Sequence, residues 1–205
     1  MKSKLFLILY ILFLIGCAED SPTANGKTER SFKMGFTTWS YGPNLEDVNN
    51  TYAFIANHAD IYAEHIDNNI PWKAWINNQP LPTAFTNEIT GRANRRITEK
   101  ELLLSVSLLN LNRDELAPDF DGTTPAYTNL DDEAIKNAYY RHVNYVVAEF
   151  EPDYLVITIE VNELRLQSPE KWDAYKRLIS DVKSRIKQSY PALRISESIS
   201  LHNLY

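Results

Sequence analysis

The sequence predicts an α/β protein built on a parallel sheet, because strand-like and helix-like segments alternate along the chain. The alternation repeats about every 35 residues, which is the length of one strand–helix unit of a parallel sheet. The helical segments carry apolar residues at intervals of 3 and 4, whereas the strand segments are rich in β-branched residues. With 205 residues, of which 44% are hydrophobic, the chain has enough apolar material for one large core.

Five strands and the helices between them can be placed along the chain. The predicted strands lie within residues 32–38, 60–66, 100–109, 152–163 and 193–201. Helices are predicted after Asn44, between residues 83 and 94, from Asn129 or Asp131 to residue 150, and from Ser168 to residue 186. Asn44 and Ser168 are good N-cap residues, and Pro169 suits the first position of a helix.

The stretch 152–163 is the best-marked strand, and its end is the predicted site. Its near-continuous apolar run is typical of a strand covered on both faces, as in a parallel sheet. The end of the run is polar, and alternation places Thr158, Glu160 and Asn162 on one side. Because α/β folds place their sites at the carboxyl ends of parallel strands, a carboxylate beside an amide here indicates chemistry.

Val161-Asn162-Glu163 after an apolar strand resembles the end of strand four in the (β/α)8 glycoside hydrolases of clan A. The resemblance implies that Glu163 is the general acid/base of retaining hydrolysis and protonates the leaving glycosidic oxygen. It also implies that Asn162 hydrogen-bonds the sugar 2-hydroxyl. Two departures are visible: Leu164 stands where many members of the clan have proline, and no arginine lies near the end of predicted strand two.

With this resemblance, the alternation favours an incomplete (β/α)8 TIM barrel made of the first five βα units, and a doubly wound sheet is the alternative. No glycine-rich loop follows the first strand, so the dinucleotide and phosphate fingerprints are missing. A closed barrel takes roughly 250 residues, so the 205-residue chain is expected to hold only its N-terminal part. In the clan the nucleophile lies on strand seven. Because only five strands are predicted here, the chain alone lacks the nucleophile and is expected to be inactive.

Other side chains near the strand ends are candidate site residues as well. Alternation points Glu163 opposite to Asn162, so a bulge or a strand exit must turn Glu163 toward the site. Glu160 and Glu197 are alternative carboxylates, because both lie on the polar side of their strands and could line the barrel. Carboxylates buried there also occur as paired structural groups. His202, after strand five, is either a sugar contact or a residue without a role in binding.

Trp39 and Trp72 are predicted to bind substrate, because they fall in the loops after strands one and two, with Tyr41 and Trp75. A flat aromatic side chain matches the apolar C–H face of a sugar ring and leaves a polar edge for its hydroxyls. Aromatic residues in such loops also pack as plugs of the core. The sequence leaves both interpretations open.

The N-terminus has the features of an export signal. Lys2 and Lys4 precede an apolar run over residues 5–15, which is too short to span a bilayer. Leu14-Ile15-Gly16-Cys17 resembles the lipobox of bacterial lipoproteins, which implies that Cys17 carries lipid. The alternative is an ordinary cleaved signal with a buried cysteine.

This interpretation divides the chain into three parts. They are a signal peptide over residues 1–16, a flexible tether over residues 17–31 and a partial barrel domain over residues 32–205. A lipid on Cys17 places the domain at the bacterial cell envelope, on the outer membrane or the cell surface.

Charge and spacing exclude several classes of partner. Residues 1–16 carry two lysines and no acidic residue, so their removal changes the net charge from −6 to −8. A protein with this negative charge is poorly suited to bind nucleic acid, because the phosphates of nucleic acid are negative as well. Neither a metal nor a cofactor is predicted, because histidine pairs with metal-ligand spacing are missing. The predicted function is that of a glycoside hydrolase-like lipoprotein acting on an oligo- or polysaccharide. The alternatives are a non-catalytic glycan-binding lipoprotein and a structural envelope lipoprotein.

Overall fold

A computed structural model of the chain describes residues 31–67 and 69–201. The predicted signal peptide, Cys17, nearly all of the tether and His202 lie outside the described residues. Within them, no helix is both long enough and apolar enough to cross a bilayer.

Five parallel strands form one sheet in which each strand lies beside the next one along the chain. The strands are β1 (Gly35–Thr37), β2 (Ile61–Ile66), β3 (Glu101–Val106), β4 (Tyr154–Val156) and β5 (Arg194–Ser196). Crossovers between parallel strands are right-handed, so a sheet that grows in one direction receives all its connecting helices on one face. A doubly wound sheet would reverse its strand order. The fold is therefore that of the first five units of an incomplete (β/α)8 barrel.

Six α-helices and one 3-10 turn connect the described strands. They are α1 (Leu45–His58), α2 (Trp72–Asn77), α3 (Thr83–Ala93), α4 (Glu133–Phe150), α5 (Val161–Gln167), the 3-10 turn Pro169–Lys171 and α6 (Trp172–Ser189). The prediction that Asn44 caps the first helix is confirmed, because Asn44 and Asp47 form a capping box there. The helices α2 and α5 are short and were not predicted.

The core lies between the sheet and the helices. Tyr62, Leu104 and Leu155 are fully buried on the side of the sheet that faces the helices. The register pairs Ala63 with Leu103 on the opposite side, where both are only half-buried. This second side is the one that would line the interior of a closed barrel.

Glu64 shows how strictly the two sides of the sheet are separated. It is almost fully buried on the helix side, where it accepts hydrogen bonds from Tyr52 of α1 and from Arg92 of α3. The Arg92 Nη2 lies 2.6 Å from Glu64 Oε2, so the buried carboxylate is paired. Glu64 is therefore a structural group that fixes β2 between two helices.

The prediction of a strand through Glu163 was wrong. The strand β4 ends at Val156, the chain bends over residues 158–160, and Glu160 adopts a left-handed conformation with φ 53° before α5 begins. The β-branched residues that suggested a strand are buried all the same, in the bend and in the first turn of α5. Strand preference reflects packing on a half-buried surface more than backbone geometry, which explains the error.

The buried histidine of α4 makes stability sensitive to acid. His142 has no described hydrogen-bond partner at Nδ1 and packs against the rings of Trp75, Phe85 and Tyr139. Burial lowers the pKa of His142 to about 3. An unfolded histidine has a pKa near 6.5, so below that pH the unfolded chain binds the extra proton and the fold loses stability.

We expect the free energy of unfolding to fall by up to about 1.4 kcal/mol for each pH unit between pH 6 and pH 3. Urea unfolding at several pH values, compared with His142→Leu, measures this slope. Carboxylates contribute equally to both proteins, so the difference between the two curves isolates the histidine. Parallel curves for the two proteins would contradict the prediction.

Candidate functional site

A buried arginine joins the carboxyl ends of three neighbouring strands. Arg113, which is 5% exposed, donates from Nη1 and Nη2 to the two carboxylate oxygens of Asp67 at 3.0 and 2.8 Å. Its Nε donates to Glu160 Oε2 at 3.1 Å, and its Nη1 lies 3.4 Å from Ser107 Oγ. Asp67 follows β2, Ser107 follows β3 and Glu160 lies beyond β4. The three side chains and Arg113 are called the arginine cluster below.

The loop that carries Arg113 is a small hairpin after β3. Leu109 and Leu116 form an antiparallel bridge, and the Arg113 N–H donates to the Asn110 carbonyl at 3.1 Å in the turn. The Asn110 side chain bonds Asp114 in both directions, with Nδ2 to Oδ1 at 2.7 Å. These bonds hold Arg113 in a left-handed conformation with φ 60°. Such a conformation is costly for a residue with a side chain, so the surrounding loop determines it.

The electrostatics of the cluster favour an ionised Asp67. Burial would raise the pKa of Asp67, but the His65 imidazole beside it and the hydrogen bonds and charge of Arg113 together lower that pKa well below its usual range. His65 Nε2 lies 3.7 Å from Asp67 Oδ2. Asp67 therefore carries a fixed negative charge between a guanidinium and an imidazole.

An open cavity of about 630 Å³ adjoins this cluster at the carboxyl ends of β2 and β3. Asp67, Asn69 and Glu88 form part of its wall, and Phe120 lies on the wall as well. Amide and carboxylate groups beside an aromatic ring suit a ligand that has hydroxyl groups and an apolar face. Among the described residues, no group of three metal-binding side chains could hold an ion.

The pair Asn162 and Glu163 lies on α5. Asn162 Nδ2 donates to the Ser200 carbonyl at 3.0 Å, and its Oδ1 accepts from the Ser200 N–H at 2.7 Å. The amide therefore holds the segment after β5 against α5. Glu163 is 7% exposed in the first turn of the helix. Glu160 lies in the bend between β4 and α5, and its side chain is 41% exposed.

The remaining predicted residues differ widely in exposure. Glu197 accepts from Tyr175 at 2.9 Å and from Lys183 Nζ at 3.1 Å, so it is bound to α6. Trp72 is fully buried, and its Nε1 donates to the Ala117 carbonyl at 2.7 Å, so it offers no surface to a sugar in this structure. Trp39 is 69% exposed and meets the His65 ring edge-on with centroids 5.5 Å apart.

Arg113 has no local sequence signal that marks it as a site residue. It lies in a polar loop, and its partners Asp67 and Glu160 are 46 and 47 residues away in the chain. Spacing rules detect neighbours on one element, so no local pattern could have indicated this cluster.

Solved structures of glycoside hydrolases share the fold of this chain. The chain is similar to a GH5_18 from Bifidobacterium longum subsp. infantis, with 15% identity, a TM-score of 0.56, and 82% of this chain covering 44% of that one. It is also similar to a GH5_18 variant from Bifidobacterium longum subsp. longum in complex with Manβ1-4GlcNAc. There the identity is 15% and the TM-score 0.52, and 73% of this chain covers 40% of that one.

A GH5_18 from Streptomyces cattleya in complex with GlcNAc is a further neighbour, at 13% identity and a TM-score of 0.50, with 75% of this chain covering 39% of that one. No protein-family model and no curated protein sequence matches the chain. The chain thus spans about 39–44% of the length of these enzymes. At this level of identity the likeness shows the fold alone, that of an incomplete (β/α)8 barrel.

Proposed function

We propose that the protein acts on a neutral oligo- or polysaccharide at the carboxyl ends of its strands, as a glycoside hydrolase-like lipoprotein of the bacterial envelope. The observation that carries this proposal is the arginine cluster beside the 630 Å³ cavity. Asp67 and Asn69 on the cavity wall carry oxygens that can accept hydrogen bonds from sugar hydroxyls. The neighbouring enzymes were solved with Manβ1-4GlcNAc and GlcNAc, and both of these ligands are uncharged sugars.

A carboxylate after β4 is the proposed acid/base group of retaining hydrolysis, which uses two carboxyl groups about 5 Å apart. The resemblance of Asn162-Glu163 to the clan supports Glu163. Position and exposure support Glu160 instead, since it lies in the bend between β4 and α5 and its side chain is partly open to solvent. We choose Glu160, and the experiment that separates the two is described in the Discussion.

A second candidate function is glycan binding without catalysis. It is favoured by the observation that the Asn162 amide makes two hydrogen bonds to the Ser200 backbone while Glu163 is buried on α5. The two residues that would contact the reacting sugar are then structural. A binder would need only the cavity and the arginine cluster.

Calorimetric titration of the chain with Manβ1-4GlcNAc tests the proposed ligand class. We expect saturable binding that Glu160→Ala weakens at least about tenfold, a difference of about 1.4 kcal/mol. The matched control is Glu170→Ala, which removes an exposed glutamate from the 3-10 turn and should bind like the unmodified protein. An unmodified chain that binds no neutral saccharide would refute the proposed ligand class.

The envelope location is proposed from Cys17. A diacylglycerol on the thiol together with an N-acyl chain supplies more than one lipid chain, enough for stable attachment. Cys17→Ser should move the protein from the membrane fraction to the soluble fraction of bacterial cells. Equal partitioning of the two proteins would show that Cys17 is not an anchor.

A further inference from the structure

The loop segment 113–115 contacts both ends of the helix α5. At the N-terminal end, the Arg113 Nε donates to Glu160 Oε2 at 3.1 Å, and Glu160 immediately precedes the helix. At the C-terminal end, the Ser168 Oγ donates to the Asp114 carbonyl at 3.1 Å, and Ser168 immediately follows the helix. The helix has seven residues and is therefore about 10 Å long, short enough for one loop to contact both of its ends.

Lys171 adds a charged contact at the C-terminal end of α5. Its Nζ donates to the Asp114 carbonyl at 2.8 Å and to Glu115 Oε2 at 3.0 Å. Lys171 belongs to the 3-10 turn that follows α5, and its N–H donates to the Ser168 carbonyl at 3.0 Å. The carbonyl of the residue that follows Arg113 is therefore held by two donors, one of which is charged.

The carboxylate that Lys171 contacts is itself fixed within the loop. The other oxygen of Glu115 accepts hydrogen bonds from the Tyr127 hydroxyl and from the Leu116 N–H, the latter at 2.8 Å. Glu115 therefore joins Lys171 to a part of the loop that is already ordered, and Lys171 does not have to order it.

These contacts bear directly on the conformation of Arg113. A left-handed backbone at a residue with a side chain persists only where its surroundings determine it. The peptide after Arg113 is fixed by the Asp114 N–H, which donates to Asn110 Oδ1 at 3.2 Å. The next peptide is fixed by Lys171 and Ser168. Release of that second peptide would allow the backbone of Arg113 to relax and would move its guanidinium.

We propose that Lys171 is a positioning residue, which holds the loop so that the Arg113 guanidinium stays on Glu160. This inference rests on the proposed function, which assigns Glu160 its role toward the sugar. An ion pair as exposed as that of Lys171 with Glu115 contributes little to stability. Loss of Lys171 should therefore change the geometry of the arginine cluster more than the free energy of unfolding.

Hydrogen exchange of the Arg113 Nε–H, measured by NMR, reports this geometry without any sugar. That N–H donates to Glu160, so it is protected while the hydrogen bond is formed. We expect its exchange to be at least about fivefold faster in Lys171→Met, and faster by a smaller factor in the milder variant Ser168→Ala. The matched control is Lys176→Met, which breaks an exposed ion pair on α6 and should leave the exchange unchanged.

Sugar affinity tests whether the effect of Lys171 reaches Glu160. In calorimetric titration with Manβ1-4GlcNAc, Lys171→Met should weaken binding by the otherwise unmodified protein about fivefold. In a protein that already carries Glu160→Ala, the same substitution should change the affinity by less than about twofold, because the residue through which it acts is missing.

The two measurements distinguish a failure of this inference from a failure of the proposed function. Unchanged exchange of the Arg113 Nε–H in both Lys171→Met and Ser168→Ala would overturn the inference, whatever the sugar affinities are. Faster exchange in a protein that binds no sugar would support the positioning of Arg113 and refute the proposed ligand class. An equal loss of affinity with and without the Glu160 carboxylate would show that Lys171 acts by another route, which also overturns the inference.

Discussion

Replacing Arg113 by methionine is expected to lower the free energy of unfolding by about 3 kcal/mol. The methionine keeps the aliphatic volume but leaves Asp67 without the paired N–H groups that now hold both of its oxygens. Removing one partner of a buried ion pair is costly because the remaining charge is poorly solvated. Urea unfolding at pH 7, monitored by tryptophan fluorescence, measures the loss.

The pH dependence of that loss identifies its cause. The folded-state pKa of Asp67 is lowered below its ordinary value of 3.8. The stabilisation from Asp67 is therefore present above that value and disappears as the pH falls below it. The difference between the unmodified protein and Arg113→Met should shrink accordingly below about pH 4.

Two further variants complete the test of the arginine cluster. Lys176→Met breaks an exposed ion pair with Asp173 and should leave stability unchanged within error, because exposed pairs contribute little. The double variant Arg113→Met with Asp67→Leu removes both charges and should recover much of the loss. If the double variant is as unstable as the sum of the two single variants, the ion pair is not the source of the effect.

The elements that the sequence predicted well are those with a local signal. In α4 and α6 the stripes that include Ile135, Val143, Ile179 and Val182 are buried as their spacing indicates. Each stripe can be recognised from the spacing of apolar residues within a single helix. The order of the strands then follows from right-handed crossovers, which is why the partial barrel could be predicted.

The site could be predicted only in part, because its geometry depends on contacts that are distant in sequence. Trp39 and Trp72 have the same signal, a tryptophan in a strand-end loop, but one is exposed and the other is fully buried. The difference arises because the Trp72 Nε1 reaches the Ala117 carbonyl, 45 residues further along the chain. The identity of the strand-end glutamate likewise depends on the left-handed backbone at Glu160, which turns the chain into α5. Neither feature has a period that sequence reasoning could detect.

Replacing Glu160 by glutamine, in a protein that joins this chain to the remaining strands of a closed barrel, is expected to slow hydrolysis of a disaccharide by about 10²–10⁴. This factor corresponds to roughly 3–5 kcal/mol of barrier. Glutamine keeps the shape and the hydrogen bonding of the side chain, but it cannot give a proton to the leaving oxygen. The rate should be measured with two substrates. The disaccharide has a sugar leaving group, which needs protonation, whereas an activated aryl glycoside has a phenolate leaving group, which departs without protonation.

The dependence on the leaving group separates an acid catalyst from a structural carboxylate. For Glu160→Gln the loss should be large with the disaccharide and small at the first step with the aryl glycoside. Glu163→Gln should reduce both rates by one common factor, because a 7% exposed side chain in the first turn of α5 acts through the stability of the helix. The reverse pattern, with leaving-group dependence only in Glu163→Gln, would assign the acid role to Glu163 as the resemblance implies. Full activity of both variants would show that the segment after β4 takes no part in the catalytic step. The role left for that segment would be to bind the glycan.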